Sequence, residues 1–222
     1  MKKKVLSALA VLSLATSIGF ASPLNDFSQG KVALDVAARP SADIDVSSTD
    51  LDSTIDGKNS YDFGLTVGLG NNFAFQYRNF NPKSKDYSDG FETYNGQLKT
   101  QEFNVLYQID KNYTVFAGVN QVKSKYNLGE VGRVTGDTNN NWQVGLTGQA
   151  PLGDKFTGYA TVAAGKDNNA WKLGLSYAID KSLDFDLFYA RNKYDNVKLT
   201  KEDPYSADYT VKGFGYGLTY KF

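Results

Sequence analysis

The feature of this 222-residue chain that most restricts its fold is a two-residue alternation of apolar with polar or small side chains. In segment 214–222, aromatic residues and leucine at even positions alternate with glycine, threonine and lysine at odd positions. Successive side chains of a β-strand point to opposite faces, so this period predicts strands with two different faces. We predict ten such strands, in segments 31–39, 61–70, 73–78, 103–109, 113–119, 142–146, 156–165, 171–179, 183–189 and 214–222.

The connections between these segments are of two kinds. Four are short turns of Asn, Asp, Gly, Lys and Ser, at 71–72, 110–112, 153–155 and 180–182. Between them lie five others, four of which are long and polar, at 40–60, 79–99, 123–140, 166–169 and 193–208. Because short and long connections alternate, all the short turns lie at one end. This sorting is typical of up-and-down transmembrane barrels and favours about ten strands, with eight as the alternative.

The N-terminus predicts export. Three lysines precede an apolar run over 5–18, and Gly19-Phe20-Ala21 places small residues where a signal peptidase cuts. We therefore expect a signal peptide over 1–21 and a barrel over 22–222. The alternative, an uncleaved anchor, would need about 20 apolar residues.

Composition excludes several chemistries. The chain has no His and no Cys, the side chains on which nucleophilic catalysis and zinc binding most often depend. Its 24 basic and 24 acidic residues leave no net positive charge of the kind that indicates nucleic-acid binding. The acidic segment 40–60 lacks the spacing of a calcium-binding EF-hand. We expect no enzyme activity, no catalytic residue, no metal and no cofactor.

The polar face of the predicted strands carries charged residues. Burying such charges in a dry core would be costly, which favours a barrel with the apolar face toward lipid and the polar face toward a wet lumen. The candidate lumen-facing residues are Asp62, Arg78, Glu102, Lys172, Asp184 and Asp186. We expect Arg78 and Glu102 to pair, and Asp184 and Asp186 to be solvated structural groups. A soluble barrel that binds an apolar ligand is the alternative.

Aromatic residues flank the short turns and recur near the opposite strand ends. Such positions are typical of the two girdles at membrane interfaces. The predicted girdle residues are Phe73, Tyr107, Tyr113, Phe156 and Tyr177 at the turn end, with Trp142 and Trp171 at the other.

Taken together, residues 22–222 resemble the small OmpA-like and opacity-protein-like outer-membrane barrels, a class that commonly has eight strands. The most specific element is the last strand, which in that class ends in an aromatic residue and is recognised by the barrel assembly machinery. The matching positions are Phe214, Tyr216, Leu218, Tyr220 and Phe222. The resemblance implies a monomer in the outer membrane of a diderm bacterium, in contact with its lipid and lipopolysaccharide.

Two functions fit this interpretation. The first is a porin-like role in envelope structure or in narrow passive permeation of small solutes. The second is a surface adhesin or recognition protein that acts through the long loops. Inward glycines favour open space in the lumen, whereas inward Phe116, Tyr159 and Phe188 favour a filled one, so the sequence leaves conduction open.

Overall fold

The structure is a computed structural model and describes residues 23–24, 26–48, 51–88, 91–201 and 206–222. The predicted signal peptide over 1–21 lies outside these residues. Within them the chain is almost entirely β-structure. The strands are β1 (Val32–Arg39), β2 (Asp43–Ser48), β3 (Leu51–Asp56), β4 (Ser60–Gly70), β5 (Phe73–Phe80), β6 (Tyr87–Ser88), β7 (Thr93–Gln108), β8 (Tyr113–Leu128), β9 (Arg133–Thr135), β10 (Asn139–Pro151), β11 (Phe156–Gly165), β12 (Asn168–Ala178), β13 (Leu183–Lys198) and β14 (Ser206–Lys221), and a 3₁₀ turn covers Gly129–Val131.

Ten of these strands form a closed antiparallel barrel. Their order is β1-β4-β5-β7-β8-β10-β11-β12-β13-β14, and β14 pairs again with β1. The closing seam joins Ala33–Ala38 of β1 to Tyr216–Lys221 of β14. The predicted all-β barrel of ten strands is therefore confirmed. Among the described residues, no helix is long and apolar enough to cross a membrane.

The four short turns all lie at one end, which we call the turn end; the opposite end is the distal end. Asn71 and Asn72 both adopt positive φ, 52° and 65°, as a two-residue hairpin requires. In two other turns an aspartate fixes the backbone. Asp110 accepts hydrogen bonds from the amides of Asn112 and Tyr113 at 2.7 and 2.9 Å. Asp180 does the same in the turn before β13.

Four of the connections predicted as loops are largely strand instead, which corrects the sequence interpretation of 40–60, 79–99, 123–140 and 193–208. β7, β8, β13 and β14 each run for 16 residues. β2 and β3 form a hairpin that continues β1 and β4, and β2 pairs with the distal part of β14. The barrel wall therefore continues well past the apolar band. We call this distal part the extension: β2, β3, β6, β9, segment 82–86, and residues 93–100, 121–128, 191–198 and 206–212.

The extension has the opposite polarity to the rest of the barrel. Lower on β14, Phe214 and Tyr216 point outward and are 73% and 49% exposed. Higher on the same strand, the inward residues Val211 and Tyr209 are apolar and buried, while Lys212 lies on the outward face. The same inversion occurs on β7, where outward Phe103 gives way to outward Lys99 and inward Leu98. A strand that changes its apolar face gives no single alternation, which is why these segments resemble loops in the sequence.

Inward glycines and inward aromatic rings are cross-strand partners. Phe116 lies opposite Gly145, Tyr159 opposite Gly174, and Phe188 opposite Gly215. In each pair, a Cβ on the glycine would overlap the ring of its partner. The glycines therefore make room for the rings and do not leave open space in the lumen. The inward glycines and the inward aromatic residues, which pointed to opposite conclusions in the sequence, belong to one packing arrangement.

Candidate functional site

A cluster of buried charges crosses the lumen. Asp62 lies at its centre, with Arg39 Nη2 at 2.9 Å and Arg78 Nη2 at 3.7 Å from Asp62 Oδ2. Arg78 Nη1 lies 4.0 Å from Glu102 Oε2, so Arg78 bridges the two carboxylates. All four side chains are buried. The two guanidiniums and the two carboxylates therefore balance each other's charge inside the barrel.

Sequence reasoning did not identify Arg39, which makes the shortest contact in this cluster. It ends a weakly patterned segment, and its partner Asp62 is 23 residues away. The sequence signal that could have identified it is its position along the strand. Arg39 is four residues from Asp35, and residues an even number of positions apart on a strand lie on the same face, here the inward one. The guanidinium also stacks over Phe80, with its Cζ 4.1 Å from the ring centroid. Arg39 is thus held by charge on one side and by an aromatic face on another.

The other predicted lumen residues also face the inside of the barrel, where Asp184 and Asp186 are buried and not solvated as predicted. Lys172 is buried, with Nζ 3.6 Å from the centroid of the Phe188 ring. Asp184 forms an ion pair with Lys221 near the turn end. Asp186 is fully buried opposite Ser176 of β12. Among the described residues, no three His, Cys, Asp or Glu side chains are grouped as a metal site would require.

A belt of amides crosses the lumen below the charged cluster. Gln143 donates to Asn104 Oδ1 at 2.7 Å, and Asn168 donates to Gln143 Oε1 at 3.4 Å. Gln76 donates to Thr66 Oγ1 at 3.2 Å. These side chains are all buried, so hydrogen bonds between strands replace water at this level.

The turn end is closed by residues that precede β1. Phe27 and Leu24 are 3% and 6% exposed and belong to an apolar cluster with Leu106 and Phe116 of the inner wall. The Phe27 carbonyl accepts a hydrogen bond from the Gly70 amide at 2.9 Å. A Cβ on Gly68 would overlap the Ser28 carbonyl, so glycine is needed where this segment crosses β4. The segment therefore fills the mouth of the barrel.

The predicted girdle and assembly residues lie on the outer wall. Phe73 and Tyr107 pack at 4.9 Å between ring centroids, and Phe156 and Tyr177 at 5.0 Å. Tyr113 and Trp142 are 50% and 58% exposed, and Trp171 stacks on Tyr189. The C-terminal series is exposed at every second position, by 73%, 49%, 46%, 45% and 60% for Phe214, Tyr216, Leu218, Tyr220 and Phe222.

Inside the extension is a second core, which sequence reasoning missed. Its buried residues are apolar and come from every long strand; they include Ile44, Leu98, Val122, Tyr194 and Val211. Beside this core, a cavity of about 210 Å³ lies between the β2–β3 hairpin and β7. Most of its lining surface is apolar or aromatic and comes from residues that include Ile44, Val46, Ile55, Leu98, Tyr94 and Tyr209; Ser84, Lys85, Asn95, Gln97 and Asn127 also contribute to the lining. We call it the distal cavity.

A tyrosine pair spans the wall of the distal cavity. The hydroxyls of Tyr126 on β8 and Tyr209 on β14 hydrogen-bond to each other. Burial raises the pKa of both phenols above its ordinary value, so both remain neutral near pH 7. The pair ties two strands that are not neighbours in the barrel and shapes the cavity with uncharged groups.

No protein-family model and no curated protein sequence matches this chain. Solved barrel structures do match it. The outer-membrane protease OmpT of Escherichia coli is 12% identical over 91% of this chain and 100% of its own, with a TM-score of 0.53. Neisserial surface protein A is 15% identical over 87% and 100% of the two chains, with a TM-score of 0.44. The Pseudomonas putida toluene transporter TodX is 9% identical over 95% and 96%, with a TM-score of 0.47. By fold, the chain is a small barrel of the outer-membrane type.

Proposed function

We propose that the protein is a non-enzymatic outer-membrane barrel with a closed lumen, which acts as a recognition protein at the cell surface through its extension. The observation that carries this proposal is the distal cavity, an apolar site at the distal end above a lumen filled by charges and amides. In this arrangement the barrel is the anchor and the extension is the binding part.

The outer wall supports the membrane placement. Its apolar residues form a band from the turn end up to the level of Phe103 and Phe214, and above that level outward residues become polar. A soluble barrel would keep its apolar face inward along its whole length. We propose that the turn end faces the periplasm and the extension faces the exterior, as short turns and longer distal segments do in such barrels.

The interior favours recognition over permeation. Arg39, Lys172 and Asp186 are at most 1% exposed, so water does not reach these charges from either end. The segment that contains Phe27 also fills the turn-end mouth. A permeation path would require both barriers to move. We therefore prefer the recognition role to the porin-like role.

The lining of the distal cavity indicates the kind of group that it would accept. Desolvating an apolar ring or aliphatic group against Ile44, Leu98 and the tyrosines is favourable. A charged group would lose its hydration there, and the charged lining residue Lys85 is already paired with Asp56 at 2.8 Å. We propose that a partner inserts such an apolar group. The proposal also keeps the expected monomer, its contact with outer-membrane lipid and lipopolysaccharide, and its recognition by the barrel assembly machinery.

The first prediction concerns conductance. The mature protein, inserted in a planar lipid bilayer, is expected to give no steady current steps, because buried ion pairs and the Phe27 segment block the lumen. Heat-dependent gel migration of the same sample is the control for folding. Steady steps whose selectivity changes on Glu102→Gln or Lys172→Gln would contradict the closed lumen.

The second prediction concerns the distal cavity. Gly96 lines it, and a Cβ there would come no closer than 3.5 Å to Tyr126. The Gly96→Leu variant should therefore fill the cavity without displacing the wall. We expect protein in phosphatidylcholine vesicles to bind the neutral fluorophore N-phenyl-1-naphthylamine saturably, and the variant to bind it about tenfold more weakly, the effect of losing about 1.4 kcal/mol.

The control is Gly153→Leu in a turn at the opposite end, where a Cβ on the glycine would have no described atom within 4 Å. It should bind the fluorophore as the unmodified protein does. Equal binding by Gly96→Leu, or no signal above that of empty vesicles, would argue against the cavity as a recognition site.

A further inference from the structure

A group of five cations lies on the outward face of the extension. It consists of Lys99 on β7, Lys123 and Lys125 on β8, Arg133 on β9, and Lys83 before β6. We call it the basic patch. The basic patch adjoins the distal cavity and shares with it the lining residues Asn95, Gln97, Tyr126 and Asn127, but none of the five cations lines that cavity.

Strand pairing forces these cations together. Lys99 and Lys123 are direct cross-strand partners, and Lys125 lies opposite Gln97, which in turn bridges to Lys83. Arg133 pairs with Asn127, two residues beyond Lys125. Like charges directly opposite each other destabilise a strand pair. The arrangement is therefore unfavourable for the protein alone and favourable if an anion binds between the cations.

The carboxylates of the described residues form no close ion pair with the patch, and Asp86 interacts with Lys83 only at longer range. None of them lies within 4.0 Å of its five cationic groups. The nearby Asp86 is engaged by Lys58 at 2.5 Å and by Asn95 at 3.0 Å. The Glu92 carboxylate accepts a hydrogen bond from the Glu130 amide at 3.1 Å. Consistent with uncompensated charge, the ammonium of Lys99 lowers the pKa of Lys125.

The patch is concave. A groove of about 280 Å³ is lined by Lys83, Lys99, Lys125 and Arg133, with the amide side chains of Asn95 and Gln97 between them. All six are hydrogen-bond donors, and the four cations are charged at neutral pH. A group with several anionic oxygens suits this lining better than a single carboxylate does.

The height of the patch identifies the source of the anion. Tyr113 lies in the turn-end girdle, and Lys123 is ten residues higher on the same outward face of β8. With a rise of about 3.3 Å per residue and a tilt of about 40°, Lys123 lies about 25 Å above Tyr113. The outward apolar band of such barrels is also about 25 Å tall. The patch therefore begins where the outer lipid leaflet ends and its headgroups start.

We propose that the basic patch is a binding site for the phosphate groups of an outer-leaflet glycolipid. The acyl chains would lie against the apolar wall below, beside Phe103 and Val119, while the phosphates occupy the groove. This inference depends on the proposed membrane placement but not on the distal cavity. A soluble polyanion would meet the same cations but would have no acyl chains to place against the apolar wall below them.

Binding of bisphosphorylated lipid A to the detergent-solubilised mature protein tests the site. We expect the triple variant Lys99→Gln/Lys125→Gln/Arg133→Gln to bind about a hundredfold more weakly, since each cation near lipid phosphate contributes about fivefold. The control Lys111→Gln/Lys155→Gln/Lys181→Gln removes three exposed cations from the short turns and should retain the affinity. Lipid A without its phosphates should bind the unmodified protein as weakly as the triple variant binds lipid A.

Several outcomes would overturn the proposal. One is affinity of the triple variant within twofold of the unmodified protein, and another is equal binding of dephosphorylated lipid A. Displacement of lipid A by millimolar inorganic phosphate would assign the groove to a free anion, and preferential binding of heparin would assign it to a polysaccharide. Insertion of the protein into phosphatidylcholine vesicles is measured separately. Insertion without binding of lipid A would contradict this site alone, whereas no insertion would contradict the proposed membrane placement.

Discussion

The Asp62→Ala variant is expected to lose about 3–5 kcal/mol of unfolding free energy, the range for removing one partner from a buried ion pair. In the unmodified protein, the Asp62 carboxylate lies 2.9 Å from Arg39 and 3.7 Å from Arg78. Without it, both guanidiniums stay buried, and only Glu102 remains, 4.0 Å from Arg78. Urea unfolding of the protein in lipid vesicles, followed by tryptophan fluorescence, measures the loss.

A double-mutant cycle with Arg39→Met separates the ion pair from general damage. The double variant should be less destabilised than the sum of the two single variants, because it removes both buried charges together. The matched control is Lys58→Ala, which breaks the solvent-exposed pair with Asp86 and should leave the unfolding free energy almost unchanged. Additive losses, or a cost for Asp62→Ala as small as that of the control, would refute a structural role for the cluster.

The Phe27→Ala variant is expected to lose about 3–5 kcal/mol, the usual cost of removing a buried phenylalanine side chain. Phe27 is 3% exposed and packs in the cluster that includes Leu106 and Phe116. Gly68→Val should produce a similar loss by another route, because its side chain would occupy the space of the Ser28 carbonyl. Both losses are measured by the same urea unfolding in vesicles.

The control for this prediction is Ser28→Ala, an exposed position next to Phe27 that should change stability by less than about 0.5 kcal/mol. If the segment only rests in the mouth of the barrel, Phe27→Ala and Ser28→Ala will be equally stable. A large loss for Phe27→Ala alone would mean that residues before the first strand are part of the folded barrel and not a free leader.

Local patterning was sufficient to predict the architecture. The two-residue period and the alternation of short with long connections indicate a closed barrel of ten strands, and the observed order of strands agrees. Odd and even positions along each strand lie on opposite faces of the wall. Asp62, Arg78 and Glu102 could therefore be selected as inward candidates from the sequence alone. These inferences succeed because side-chain direction in a strand depends only on position along that strand.

The Arg78–Glu102 pair could also be predicted, because one connection joins their two strands and both residues lie at a similar height above the short turns. Other partners depend on the register between strands that are distant in sequence, which no local pattern contains. Arg39 meets Asp62 because β1 pairs with β4. Val46 lies opposite Tyr209 because β2 pairs with β14, which is more than 150 residues away in the sequence. The basic patch likewise needs Lys99 placed opposite Lys123.

The sequence by itself determined the strands, the closed barrel and the two faces of the wall. Only the tertiary structure decided where the wall leaves the apolar band and reverses its polarity, as it does on β14 between Phe214 and Val211. The physical reason is that the favourable side for an apolar residue is set by the surrounding medium, lipid below and water above. The height of each strand in the closed barrel, and not its residue pattern, fixes which medium surrounds it.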